Sequence, residues 1–99
     1  MKEQEFLQHA ALDHVTLKMW IAEAWLIPAE SAGERDYSEI DLARARLIME
    51  LQKDLGVNDP GVGVILHLID QLHGLRRAMK DLLGAVHEDG KPDDRRRSI

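Results

Sequence analysis

The sequence predicts an all-α domain that carries a minimal β-hairpin and ends in a long helix. Three observations predict it. Apolar residues recur every three or four positions through most of the chain. Capping and stop residues divide that pattern into four segments. The last segment keeps a three-four spacing from Ile65 to Val86.

The elements follow in order. Phe6, Leu7 and Ala10 set a short first helix over 3–11. A turn begins at Asp13 or His14, and 16–25 forms a second segment with Leu17, Trp20, Ile21 and Ala24 on one face. Pro28 ends it, because proline cannot continue a helix and pushes the residue before it into an extended conformation. Residues 29–36 read as a loop around Gly33, with Leu26-Ile27 and Asp36-Tyr37 as short strands that pair across it. Ser38 is an N-cap, and Asp41, three residues on, is an acidic variant of the capping box. The helix it opens stops at Gly56, which tolerates positive φ. Asp59 as N-cap and Pro60 at the first helical position open the last helix.

That last helix carries Ile65, Leu68, Leu72, Leu75, Met79, Leu82 and Val86 as an a/d seam, flanked early by Val62 and Ile69 and interrupted later by Arg76 and Arg77. A helix of about 28 residues is about 42 Å long, more than three short helices can cover. Its first half is expected to pack into the domain, and its second half to present Leu75, Met79 and Leu82 to another chain. The organisation expected is 1–57 as the globular part, 58–87 as the seam helix and 88–99 as a charged, disordered tail.

Composition narrows the function. A chain of 99 residues is one domain, too small for a catalytic and a substrate domain together. It has no cysteine, which excludes disulfides and thiolate metal sites. The longest apolar run, Val62 to Leu66, falls far short of the roughly 20 residues that span a bilayer. The start, Met1-Lys2-Glu3-Gln4-Glu5, is polar and is not a signal peptide, so a cytoplasmic protein is expected. A net charge of −5 weighs against nucleic acid as the main partner.

Nothing in the pattern points to chemistry. His67, Asp70 and His73 share one helix, but the two histidines stand about 120° apart around its axis and do not meet one metal. His9 and His14 read as surface or turn residues, and Gly74 and Ala78 as an incidental small pair. Ser31, Ser38 and Ser98 lie in loop, cap and tail contexts without a base, and Gly61-Val62-Gly63 lacks the rest of a phosphate loop. Arg95-Arg96-Arg97 is offset by Asp93 and Asp94. The expectation is a binding module with no enzyme activity, no cofactor and no metal.

Five local pieces, in order, carry a family resemblance. They are Thr16-Leu17-Lys18-Met19-Trp20, Trp25-Leu26-Ile27-Pro28, Gly33-Glu34-Arg35-Asp36-Tyr37-Ser38, the segment from Asp41-Leu42 to Leu55-Gly56, and the long helix. Together they resemble the N-terminal part of MerR-type regulators, which implies a winged helix-turn-helix with a hairpin wing. Asp59-Pro60-Gly61 followed by Leu68-Ile69-Asp70 is similar to the CbpM branch of MerR-like chaperone modulators, over residues 5–86. That resemblance implies a protein that binds the J-domain of a DnaJ-like co-chaperone of the curved-DNA-binding protein A type and modulates its co-chaperone and DNA-binding activities.

J-domains present a basic helix, so the resemblance implies an acidic contact surface. Glu39, Glu50, Asp54 and Asp70 are its candidates, since none lies on the best apolar stripe of its helix. MerR-like relatives pair the long helix antiparallel with a second copy, which implies a homodimer centred on Leu75, Met79 and Leu82. The rival expectation is a MerR-type DNA-binding transcriptional regulator without an effector domain. Lys18 and Arg35 are its only cations at the matching positions, against Glu23, Glu30, Glu34 and Asp36.

Overall fold

The computed structural model describes residues 1–90, with side chains through residue 85. The tail expectation from residue 91 on, with Arg95, Arg96, Arg97 and Ser98, lies outside the described residues, and so does the side chain of Val86. The order is α1 (Glu3–Ala10), α2 (His14–Ala22), β1 (Ala29–Ser31), β2 (Glu34–Asp36), α3 (Glu39–Met49), a π-helical turn (Glu50–Asp54) and α4 (Asp59–Gly90). The chain divides into two units, Met1–Leu66 and the part from His67 on.

In the first unit, α1 and α2 make a helix-turn-helix with a three-residue turn. Ala11 closes α1 in the left-handed region at φ 56°. Leu12 N–H then reaches Leu7 O at 3.1 Å and Ala11 N–H reaches Gln8 O at 3.3 Å, which satisfies the last carbonyls. The Asp13 carboxylate caps α2 by accepting from Thr16 N–H at 2.7 Å.

The expected end of α2 at Trp25, set by Pro28, is corrected: the helix stops at Ala22. Ala24 turns left-handed at φ 61°. Trp25 N–H bonds Trp20 O at 2.9 Å and Ala24 N–H bonds Ile21 O at 3.0 Å, the two bonds of a Schellman ending. The chain has turned before the proline is reached, and Ala24 is exposed instead of continuing the apolar face.

The wing also differs from expectation. Leu26 and Tyr37 are not strand partners but buried core residues. Residues read as loop form the strands, with Ala29 opposite Asp36, Glu30 opposite Arg35 and Ser31 opposite Glu34. Ala32 (φ 54°) and Gly33 (φ 79°) are both positive, the geometry of a two-residue type I′ turn. So tight a turn lets the strands run right up to it.

The capping box holds. Asp41 N–H donates to Ser38 Oγ at 3.3 Å, and Ser38 N–H donates to Asp41 Oδ2 at 2.9 Å. Such a cap contributes about 1 kcal/mol. After Met49 the helix widens by one residue, so that Leu55 N–H bonds Glu50 O at 3.0 Å, and past Gly56 Val57 N–H reaches back to Leu51 O at 2.8 Å. Gly56, at φ 68°, then ends it as expected.

The cap of α4 is corrected from Asp59 to Asn58, whose side chain accepts from Gly61 N–H at 2.8 Å. Asp59 instead accepts from Gln52 Nε2 at 3.0 Å, tying the start of α4 to the π turn. A Cβ on Gly61 would sit 2.7 Å from Val57 Cγ1, so a larger residue there must displace the Val57 side chain.

The core gathers Phe6, Leu17, Leu26, Tyr37, Ile48 and Val62 as its largest fully buried side chains. Each such burial stabilises the fold by roughly 1.5–3 kcal/mol. Phe6 and Tyr37 stack at 4.5 Å between ring centroids, joining α1 to the segment between wing and α3. Arg44 Nε donates to Trp25 O and ties α3 to the end of α2.

From α4 the unit takes Val62 and Leu66, an i,i+4 pair beside the seam, with Ile65 partly buried. The start of α4 packs into the domain through these residues, whereas the seam residues Leu68 and Leu72 are exposed. In the second unit, Leu68, Leu72, Leu75, Met79, Leu82 and Leu83 are 45–66 % exposed.

Candidate functional site

α2 turns Leu17 and Trp20 inward, and the cap at Asp13 and the ending at Ala24 fix both its ends. Its outward face carries Val15, Lys18, Met19 and Ala22. Val15 is 67 % exposed and Met19 55 % exposed. Lys18 is the single lysine or arginine in the nine residues of the helix.

The wing is exposed along both strands, with burial beginning again at Tyr37. It presents Glu30, Glu34 and Asp36 beside one cation, Arg35. Lys2 Nζ meets Glu34 Oε1 at 2.8 Å, and the Met1 α-amino group meets Asp36 Oδ1 at 3.0 Å. The Lys2 pairing raises the ammonium pKa and lowers that of Glu34, chiefly through the hydrogen bond between them. That bridge holds the start of α1 against the wing.

An open cleft lies between these two parts. Lys2, Glu3 and Gln4 form one wall, and Glu30, Gly33, Glu34 and Arg35 the other. At the start of α1, Glu3 Oε2 approaches His14 Nδ1 to 2.6 Å, linking α1 to α2. The Tyr37 hydroxyl is buried, and among the described residues no partner meets it at hydrogen-bond geometry. Burial pushes its pKa up, and the neighbouring Glu3 carboxylate adds to the effect.

The residues expected from sequence fall in three places. Lys18 stands on the outward face of α2 and Arg35 on β2, both exposed. Glu39 opens α3, whereas Glu50 and Asp54 open and close the π turn, and all three are exposed. Eleven residues of α3 put Glu39 about 16 Å from Glu50 along the axis, so those two are not neighbours, whereas Glu50 and Asp54 are four residues apart on the same turn. Asp70 is exposed and belongs to the second unit, as do Leu75, Met79 and Leu82.

The exposed pair Val15 and Met19 was not anticipated. The available signal was the complement of the inner face: with Leu17 and Trp20 inside, positions 15, 18, 19 and 22 must point out.

Among the described residues, no group of three histidine, aspartate or glutamate side chains is placed to hold a metal ion. No described helix is long and apolar enough to cross a membrane.

A helix-turn-helix of α1 and α2, a two-stranded wing, a capped α3 and a long α4 define a winged helix-turn-helix protein. The sequence profile of the family described as MerR HTH family regulatory protein matches residues 1–83. The chain belongs to that family. No curated protein and no solved structure matches it.

Proposed function

We propose that the chain is a protein-binding regulator that binds the J-domain of a DnaJ-like co-chaperone of the curved-DNA-binding protein A type and modulates its co-chaperone and DNA-binding activities. This is the role of the CbpM-like proteins it resembles. The observation that carries the reading is the character of the outward face of α2. It offers Val15 and Met19 to solvent and has Lys18 as its one lysine or arginine, while the wing sets three carboxylates around Arg35. Reading a duplex requires clustered cations on the phosphates. Exposed apolar groups with few cations suit a protein contact instead.

Glu39, Glu50, Asp54 and Asp70 remain the candidate acidic contacts, and their exposure supports that use. In this reading the chain acts as a homodimer through Leu75, Met79 and Leu82, works in the cytoplasm, and uses neither cofactor nor catalysis. Titration calorimetry with an isolated J-domain tests the function. Saturable binding supports it. Failure to bind, together with tight binding to its operator duplex, would replace it with a DNA-binding role.

A further inference from the structure

We infer that the outward ridge of α2 anchors a partner helix that has an apolar face rimmed by cations. The inference rests on the protein-binding reading above and names the surface that does the binding.

Val15 and Met19 are four residues apart, so their side chains adjoin on one face of the helix. Ala22 follows Met19 by three and continues the row with a small side chain that permits close approach. The row is exposed along its length, with Val15 at 67 % and Met19 at 55 %. Methionine adapts its shape to a partner more readily than branched residues do.

The ridge is also held rigid. Asp13 caps the first turn, Ala24 and Trp25 close the last, and Leu17 and Trp20 clamp the inner face in the core. A preorganised ridge loses little conformational entropy when a partner seats on it.

Charge selects the partner. Asp13 and Glu23 stand exposed at the two ends of the ridge, with Lys18 between them. Residues 1–66 carry twelve acidic and six basic side chains. Cations flanking the partner's apolar face therefore meet carboxylates at both ends, and the Lys18 stem adds apolar contact in the middle. A duplex, which carries only negative backbone charge, is disfavoured by the same arrangement.

The test is titration of an isolated J-domain into the full chain and into Val15→Ser with Met19→Ser. Both side chains are exposed, so helical content and melting temperature should stay at the parent values. Affinity should fall at least about tenfold, as for loss of an interface anchor. Val15→Ile with Met19→Leu keeps the apolar row and should bind like the parent. Raising the salt should weaken the parent complex.

Parent-like binding by the serine variant overturns the ridge assignment while the J-domain reading stands, as does binding indifferent to salt for the cationic rim. Loss of self-association in the serine variant, with J-domain binding intact, gives the ridge to a second copy and also overturns it. A parent chain that does not bind the J-domain removes the function and this inference together.

Discussion

The indole of Trp25 lies 6.4 Å from that of Trp20, centroid to centroid, and the contact closes α2. Trp25 N–H bonds Trp20 O at 2.9 Å, so backbone and side chains of the same two residues lock together. Between them Ala24 takes φ 61°, a region that glycine occupies without strain.

Ala24→Gly should therefore stabilise the protein. A left-handed L-residue costs roughly 1–2 kcal/mol, and the added freedom of the unfolded glycine returns roughly 0.4–1 kcal/mol of that. Urea unfolding should show a net gain of up to about 1.6 kcal/mol. Trp20→Ala should cost roughly 3–5 kcal/mol, because it empties a buried aromatic site. An Ala24→Gly variant less stable than the parent would contradict the ending described for α2.

Tyr37 links pH to stability. Its hydroxyl pKa is raised by burial and by Glu3, so the unfolded chain gives up the proton first as pH rises. Its contribution is whole below the ordinary tyrosine value of about 10 and is lost as pH climbs through the raised folded value. Tyr37→Phe should flatten that alkaline decline relative to the parent. It should cost little at neutral pH, because among the described residues the hydroxyl has no well-formed hydrogen bond to lose. Tyr37 is the only tyrosine, so its titration can be followed directly by ultraviolet absorbance. A parent and variant with the same alkaline limb would count against the buried hydroxyl.

Duplex binding should be weak and without sequence preference at physiological salt. On the outward face of α2 and on the wing, Lys18 and Arg35 are the lysine and arginine, among Glu23, Glu30, Glu34 and Asp36. Anisotropy on the upstream region of its own operon checks this. A nanomolar, salt-sensitive complex lost on Lys18→Ala with Arg35→Ala would promote the transcriptional reading.

The leucine row of α4 should find a partner. Leu75, Met79 and Leu82 are 55–66 % exposed, and burying such side chains is worth roughly 1.5–3 kcal/mol each. A closed two-fold pair is the usual solution. Leu75→Asp with Leu82→Asp should give a monomer in sedimentation equilibrium, since a buried unpaired carboxylate costs several kcal/mol. A parent chain that stays monomeric at high concentration would leave the row to another protein.

The sequence makes most of this architecture legible, and the misses share a cause. Ser38 with Asp41, Gly56 and the three-four spacing of α4 announce themselves by residue type. Ala11, Ala24 and Ala32 do not: each adopts a positive φ that glycine or asparagine usually marks, which hid the end of α2 and the tight wing turn. The π turn, which places Leu51 in the core, has no sequence signature. The inner residues of α2 were visible by periodicity, whereas its outward ridge has meaning only once exposure is known.

Binding to a J-domain tests the central claim most directly. Calorimetry of the full chain with an isolated J-domain should give a saturable complex that weakens as salt rises. Charge reversal at Glu39, Glu50, Asp54 and Asp70 should weaken it further, because carboxylates steer a basic helix. Absence of heat and of any complex across the titration, with the chain folded, would contradict the account.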